Sequence, residues 1–186
     1  ELPMGASMTL PENTHSWIED RNVTALLVLK NGEIRYEDYF HGTGPADQRI
    51  SWSVAKSFLS ALMGVLHHDG TIPDLDVPVT HYVPALTGTA YDGATIRNVL
   101  NMASGVQFDE DYLAFFSDIN KMGREVALGG SLDAFSAGLE VQEFTPGETW
   151  QYVSIDTHII GMVVRGATGR DIPDLLSEKI IAPLGF

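Results

Sequence analysis

An Asn-Gly pair between two β-favouring runs constrains the fold of this chain more than any other short feature. The runs TALLVLK and EIRYEDYF flank Asn31-Gly32 directly. Both residues of a two-residue hairpin turn must tolerate a positive φ, and Asn followed by Gly does so best. The pattern predicts an antiparallel hairpin over residues 24–40. Because a lone hairpin is marginally stable, we expect it to belong to a larger sheet.

A long helix is the next strong prediction. Residues 53–68 carry apolar side chains at helical spacing, and Asp69-Gly70 follows as a stop signal. Since nearly every side of this helix is apolar, we expect it to be buried at the centre of the molecule.

The remaining sequence predicts shorter helices and no further strands. Thr95, Ser154 and Asp171 have the side chains typical of helix N-caps. Residues 106–148 mix acidic, aromatic and glycine residues, which predicts loops with one or two short helices. The whole indicates an α+β fold with an antiparallel sheet that includes the N-terminal hairpin, followed by a mostly helical region over 53–186.

Composition excludes several classes of function. The formal net charge of −14 and the lack of Lys/Arg clusters argue against nucleic-acid binding. Without cysteine there is no disulfide, thiol nucleophile or cysteine-ligated metal. The six histidines lie outside known ligand spacings, so we expect no metal and no cofactor.

Targeting signals are equally sparse. No apolar run approaches the roughly 20 residues that a membrane-spanning helix needs, so we expect no membrane association. No signal-peptide pattern occurs either, which favours the cytoplasm slightly over the periplasm. The chain begins at Glu1 rather than Met, which leaves a removed leader open.

The sharpest chemical feature is the sequence Ser53-Val-Ala-Lys56 at the predicted start of the long helix. Residues three apart lie on the same face of a helix, one turn from each other. Ser53 would lie where unpaired backbone N–H groups favour developing negative charge. A lysine amine kept neutral by its surroundings can activate a hydroxyl as a general base. The alternatives are a chance match and a Lys56 whose charged end reaches the surface.

A second feature is Tyr152-Val-Ser154, just before another predicted helix. Near a lysine cation, the phenol of Tyr152 would lose its proton more readily and could relay protons. In the alternative interpretation Tyr152 is a packed aromatic residue and Ser154 only a helix cap.

Together these motifs resemble the serine β-lactamase and penicillin-recognising superfamily, on the branch that combines S-x-x-K with Y-x-N or Y-x-S. The stretches ISWSVAKSF, IRNVLNMASGV, FTPGETWQYVSIDTHIIG and LLSEKIIAPLGF are most similar to 6-aminohexanoate-dimer hydrolases and related carboxylesterases. The resemblance extends from about Thr24 to Phe186 and implies a β-lactamase/transpeptidase-like fold. It makes Ser53 the acylated nucleophile, Lys56 its proton acceptor and Tyr152 the proton shuttle.

The resemblance also implies substrate contacts. Tyr112, in FDEDYLAFF, stands where the dimer hydrolases place a tyrosine on a mobile lid. Trp150 and Ser154 flank Tyr152 and complete our set of substrate-binding candidates. The acidic run at 109–111 is either a solvated loop or, beside a lid, a group that favours a substrate with a free amine.

One element of the family pattern is missing. Its third motif, a triplet such as K-T-G or H-x-G on a core strand, has no counterpart from Thr157 to Phe186. In the family that strand lines the site and supplies the second backbone N–H of the oxyanion hole. We therefore expect residues 1–186 to be the N-terminal part of one domain, with its C-terminal strands on a further segment or a second chain. A homodimer stays open.

These observations favour a serine hydrolase that cleaves a small-molecule ester or amide through an acyl-enzyme on Ser53. β-Lactam turnover ranks below a carboxylesterase or oligoamide hydrolase. One alternative is a catalytically incomplete half-domain or acyl-binding relative. Another is a helical interaction module without catalysis.

Overall fold

A computed structural model describes residues 2–185 of the chain, which divides into two compact units, residues 1–51 and 52–186. The first unit contains α1 (Thr14–Asp20), β1 (Ala25–Lys30) and β2 (Glu33–Tyr39). The second unit contains the helices α2 (Val54–His68), α3 (Ile96–Leu100), α4 (Asp118–Ala127), α5 (Leu132–Ala137), α6 (Ser154–Thr168), α7 (Ile172–Leu176) and α8 (Ala182–Leu184), with a π-helical turn at Ser177–Ile181 and 3-10 turns at Val79–His81 and Pro84–Leu86.

The predicted hairpin is confirmed. Strands β1 and β2 pair antiparallel, and Asn31 and Gly32 connect them with φ values of 56° and 77°. The pairing jumps from Val28–Tyr36 to Leu29–Ile34, which leaves one β2 residue as a bulge. Asn and Gly are the residues that occupy these positive φ values at least cost, so the turn sets the register of the hairpin.

The N-terminal segment pairs with the hairpin, which the sequence pattern did not predict. The Ile34 N–H donates to the Pro3 carbonyl and the Gly5 N–H donates to the Ile34 carbonyl, both at 2.9 Å. A pairing this short includes too few residues to show an alternation of polar and apolar side chains, so the sequence pattern does not predict it. Leu27 and Leu29 on β1 remain about half exposed, at 53% and 48%.

The core of the second unit forms around α6. Most residues of α6 between Ile155 and Val164 are buried, because apolar side chains occupy several faces of the helix. Around it pack the C-terminal half of α2, helix α3 and the segment 72–94, with Tyr91 among the largest fully buried side chains. Among residues 2–185, no helix has the length and apolar character that crossing a membrane requires.

The observed burial of the long helix α2 agrees with the expectation only in part. Leu62, Met63 and Leu66 are buried, whereas Val54 and Phe58 are 61% and 41% exposed. The expectation of a fully central helix was therefore wrong for its N-terminal half. The elements that contact α2, namely α6, α7 and the π-helical turn, leave that half partly uncovered.

The predicted helix caps have mixed outcomes. Thr95 caps α3 through a reciprocal capping box with Asn98, as its side chain predicts. Asp171 occupies the N-cap position of α7 without a side-chain bond. Ser154 is not a cap, because Val153 occupies the N-cap position and Ser154 is the first helical residue. The two helices α4 and α5 fall within residues 106–148, as predicted.

Candidate active site

The chain turns sharply before Ser53. Trp52 adopts a φ of 45°, in a region that bulky residues enter only at a cost in free energy. Ser53 follows at the N-cap position of α2 with a φ of −68° and makes no side-chain capping bond. The hydroxyl of Ser53 is therefore not used to cap its own helix and is available to other side chains.

Two side chains donate hydrogen bonds to that hydroxyl. The Lys56 amine lies 3.0 Å from Ser53 Oγ, one turn along α2. The Tyr152 hydroxyl lies 2.7 Å from the same atom, although it is 99 residues away in sequence. Lys56 Nζ also lies 5.5 Å from the centre of the Tyr152 ring. The structure thus brings a hydroxyl, an amine and a phenol together within hydrogen-bond distance.

The acidity of Tyr152 reflects this arrangement. Partial burial alone would raise the pKa of its phenol. The hydrogen bonds with Ser53 and Lys56, and the charge of Lys56, outweigh burial and bring the pKa below the usual 10.0. A phenol of this kind releases its proton more easily than an ordinary tyrosine, which is the property that proton transfer requires.

This candidate site is open to water in the part of the chain that the structure describes. Ser53 is exposed, and Lys56 and Tyr152 are only partly buried. Hydrogen bonds and charges act more weakly in such surroundings than in a dry pocket.

Glu110 joins the neighbouring loop to the start of α6. Its carboxylate accepts hydrogen bonds from the Ser154 backbone N–H at 3.0 Å, from the Tyr112 hydroxyl at 2.7 Å, and from the Ser154 hydroxyl. The N–H groups in the first turn of a helix lack partners within the helix, so α6 needed an acceptor such as this one. The sequence pattern includes Glu110 in the acidic run 109–111 but does not predict this contact, because the acceptor lies 44 residues before the helix.

The predicted substrate-binding residues lie in different settings. Tyr112 and Ser154 meet at Glu110, and the hydrogen bond to Glu110 is the largest of the influences that raise the pKa of Tyr112. Tyr152 adds a smaller electrostatic effect in the same direction. Trp150 is 69% exposed at the surface. Substrate contact remains a prediction for all three.

Asp156 is a buried carboxyl group in the first turn of α6, four residues after Tyr152. Its side chain is fully buried, and Oδ1 accepts a hydrogen bond of 2.7 Å from the Tyr91 hydroxyl. Within residues 2–185, Oδ2 has no hydrogen-bond partner. Burial raises the pKa of Asp156 to about 7, against the lowering effect of Tyr91 and Ser104. Sequence analysis did not single out this residue.

Replacing Asp156 by Asn should flatten the pH dependence of stability. Because the pKa of Asp156 is about 7 in the folded protein and 3.8 as its reference value, its contribution is fully present below about pH 4. That contribution is then lost as the pH rises through 7. The loss amounts to roughly 4 kcal/mol in the free energy of unfolding. Urea unfolding at pH 5 and pH 8 should show about 3 kcal/mol of this loss, because the part between pH 4 and pH 5 has already occurred at pH 5. Asp174→Asn, at an exposed position of α7, is the control, and an unchanged decline in Asp156→Asn would contradict the assignment.

Among the described residues, no group of three or more His, Asp or Glu side chains could hold a metal ion.

The fold and the family are established by comparison with known proteins. The Beta-lactamase family model matches residues 17–186, so the chain belongs to this family. A Bacillus anthracis structure assigned as a 6-aminohexanoate-dimer hydrolase superposes with a TM-score of 0.79 at 21% identity, over 97% of this chain and 52% of that one. The predicted β-lactamase/transpeptidase-like fold is confirmed.

Named relatives include hydrolases of amide bonds. The 6-aminohexanoate-dimer hydrolase of Paenarthrobacter ureafaciens is 32% identical over 90% of this chain and 44% of its own length. A D-aminopeptidase of Brucella anthropi is 26% identical over 86% of this chain and 31% of its own length. A D-stereospecific amidohydrolase from Streptomyces superposes with a TM-score of 0.67 at 26% identity, over 82% of this chain and 47% of that one. The chain thus spans half or less of these relatives.

Proposed function

We propose that the full-length protein containing this chain is a serine hydrolase that cleaves small esters or amides through an acyl-enzyme on Ser53. The observation that carries the proposal is the convergence of Lys56 Nζ and the Tyr152 hydroxyl on Ser53 Oγ, at 3.0 and 2.7 Å. A nucleophile within hydrogen-bond distance of a base is the arrangement that covalent catalysis requires.

In the acylation step, Ser53 Oγ attacks the substrate carbonyl while the amine of Lys56, in its uncharged form, accepts the hydroxyl proton. The positive charge that Lys56 gains in this step is the charge that lowers the pKa of Tyr152. The C–O or C–N bond to the leaving group then breaks, and Tyr152 passes a proton to the departing oxygen or nitrogen. In the second half of the cycle, the Tyr152 phenolate takes a proton from the water that attacks the acyl-enzyme, the bond between the acyl carbon and Ser53 Oγ breaks, and Lys56 returns its proton to Ser53 Oγ. The N-terminal end of α2 favours the negative charge that develops on the carbonyl oxygen.

Relatives support a linear amide or ester as the substrate class. Two of them are named for the 6-aminohexanoate dimer and for D-amino-acid peptides, both with open-chain amide bonds. An ester is the easier test substrate, since the same acyl-enzyme forms with a better leaving group.

One observation favours a second candidate, an acyl-binding relative without turnover. Ser53 is exposed in the described part of the chain, and electrostatic stabilisation of a transition state is weaker where water has access. The proposal of a serine hydrolase includes the strands that complete the sheet, which come from a further segment or from another chain.

Burst kinetics with p-nitrophenyl acetate test the proposed function. The full-length protein should release one equivalent of nitrophenol per active site rapidly, then release more at the slower rate of deacylation. An adduct that persists without further release would indicate the acyl-binding alternative. If neither a burst nor steady hydrolysis occurs, the proposed function is wrong.

Tyr152→Phe should slow acylation by about a hundredfold to a thousandfold, because it removes one proton-transfer group. In the wild type, the rate should fall as the pH rises through the pKa of Tyr152, which lies below 10.0, because the phenolate has no proton to pass on, and this fall should disappear in the variant. The pH dependence of kcat/KM measures both effects. Tyr36→Phe in the hairpin is the matched control and should behave as wild type. A Tyr152→Phe profile equal to the wild type would remove Tyr152 from the mechanism.

A further inference from the structure

A cavity of about 400 Å³ opens beside the candidate active site, and the proposed mechanism does not use it. It lies among α2, α4, α5, α6 and α7, and both Lys56 and Ser154 line it. Its volume lies towards the small end of the range for ligand-binding pockets. Because it shares residues with the site, a substrate held at Ser53 has this space within its reach.

The walls of this cavity are mainly apolar. They include Leu59, Met122, Leu132, Ile172 and Leu176, which come from the four helices α2, α4, α5 and α7. An apolar surface of this kind gains free energy when it excludes water by contact with a hydrocarbon chain.

Among the residues that the structure describes, no carboxylate lines the cavity. The ionisable side chains that line it are Lys56 and His158. Behind His158 lies Asp133, whose Oδ1 contacts His158 Nε2 and the Arg165 guanidinium, each at 2.7 Å. Arg165 first, and His158 after it, hold the pKa of Asp133 below its usual range. The negative charge of Asp133 is therefore matched by the Arg165 guanidinium, and an ammonium group inside the cavity would find no carboxylate to pair with there.

The acidic run at 109–111 does not change the balance of charges around the cavity. Both oxygens of Glu110 accept hydrogen bonds from Ser154, and Tyr112 adds a third donor. Asp109 accepts from the Asp111 N–H at 3.0 Å, and Asp111 accepts from the Leu113 N–H at 2.8 Å. These carboxylates support the local backbone, which weakens the sequence-based expectation of a substrate with a free amine.

We propose that this cavity binds an uncharged aliphatic chain of the substrate, next to the bond that is cleaved. The inference rests on the proposed function of Ser53 and specifies its substrate class. The inferred substrate therefore differs from the ω-amino compound for which one relative is named, because its chain carries no charge. Each methylene buried in the cavity should raise kcat/KM up to about fourfold, the equivalent of about 0.8 kcal/mol.

A matched pair of esters tests the charge preference. The full-length protein should hydrolyse p-nitrophenyl hexanoate with a kcat/KM about tenfold or more above that for the p-nitrophenyl ester of 6-aminohexanoate, since an unpaired ammonium resists burial. Met122→Glu places a carboxylate in the wall and should reduce or reverse this ratio. Leu128→Glu adds the same charge at the exposed end of α4, where Leu128 is 87% exposed, and should leave the ratio unchanged. Equal rates for the two esters in the wild type would overturn the inference.

A binding measurement separates the cavity from the chemistry. Ser53→Ala protein, titrated with hexanamide and with 6-aminohexanamide and followed by ligand-observed NMR, should bind the uncharged amide about tenfold more tightly. If neither ester is hydrolysed but this preference holds, the cavity assignment stands and the proposed hydrolase function fails. If hydrolysis occurs while the two amides bind equally, or the amine binds better, the cavity assignment is wrong and the hydrolase function stands.

Discussion

Ser53→Ala should lower the kcat for p-nitrophenyl acetate by about a millionfold. Ser53 Oγ is the atom on which both proton-transfer groups converge, at 3.0 and 2.7 Å. Without it, Lys56 and Tyr152 have no nucleophile to activate, so no acyl-enzyme forms. The effect should appear in kcat and in kcat/KM alike, because the lost interaction belongs to the transition state.

A second serine on the same helix provides the control for Ser53→Ala. Ser60 is exposed on α2, two turns further along, and Ser60→Ala should keep the wild-type rate. Far-UV circular dichroism of both variants should match the wild type, since Ser53 makes no side-chain capping bond. If Ser53→Ala retains substantial turnover, the nucleophile lies elsewhere and the mechanism is wrong.

Lys56→Met should lower the rate of acylation by about a thousandfold to ten-thousandfold. Methionine keeps the length and the apolar stem of lysine but cannot accept a proton. A single-turnover measurement of nitrophenol release reports the acylation step directly. The free energy of unfolding should change little, or rise, because the variant removes a partly buried charge from an apolar stretch of helix.

Comparison of activity with stability separates two roles for this lysine. A Lys56 that only carries its charge to the surface would give a Met variant with unchanged acylation and equal or better stability. Lys121→Met is the control, because Lys121 pairs with Asp118 on the surface of α4. It should leave acylation at the wild-type rate.

Local sequence patterns predicted the elements that are determined by residues close to one another in the sequence. Asn31-Gly32 predicted the hairpin because only a few residue types accept φ values of 56° and 77° in succession. Thr95 predicted the start of α3 because its hydroxyl and Asn98 satisfy each other's backbone groups. In both cases the energetic requirement and the residues that meet it are neighbours in sequence.

The sequence did not predict features that depend on residues far away in the chain. The start of α6 depends on Glu110, and the burial of Asp156 depends on Tyr91, which lies 65 residues before it. The exposure of Phe58 likewise depends on which elements cover α2, rather than on its own apolar pattern. Helical periodicity predicts that a face is apolar but not what packs against it.

The candidate site contains one contact that the local sequence predicts and one that depends on a distant residue. Helix geometry alone predicts that Ser53 and Lys56 face each other, since they are one turn apart. Nothing in their local sequence predicts that Tyr152, 99 residues later, donates to the same oxygen. That expectation came from the resemblance to a family, and the observed distance is in accord with it.

Phosphonylation by a fluorophosphonate probe tests the central claim most directly. The oxygen of an activated serine attacks the phosphorus of the probe, fluoride leaves, and a stable phosphonate ester remains on that oxygen. After digestion of the labelled full-length protein, mass spectrometry should locate the added mass on Ser53 alone, and Lys56→Met should label far more slowly. A label on another residue, or no label under conditions in which the protein hydrolyses esters, would contradict the account.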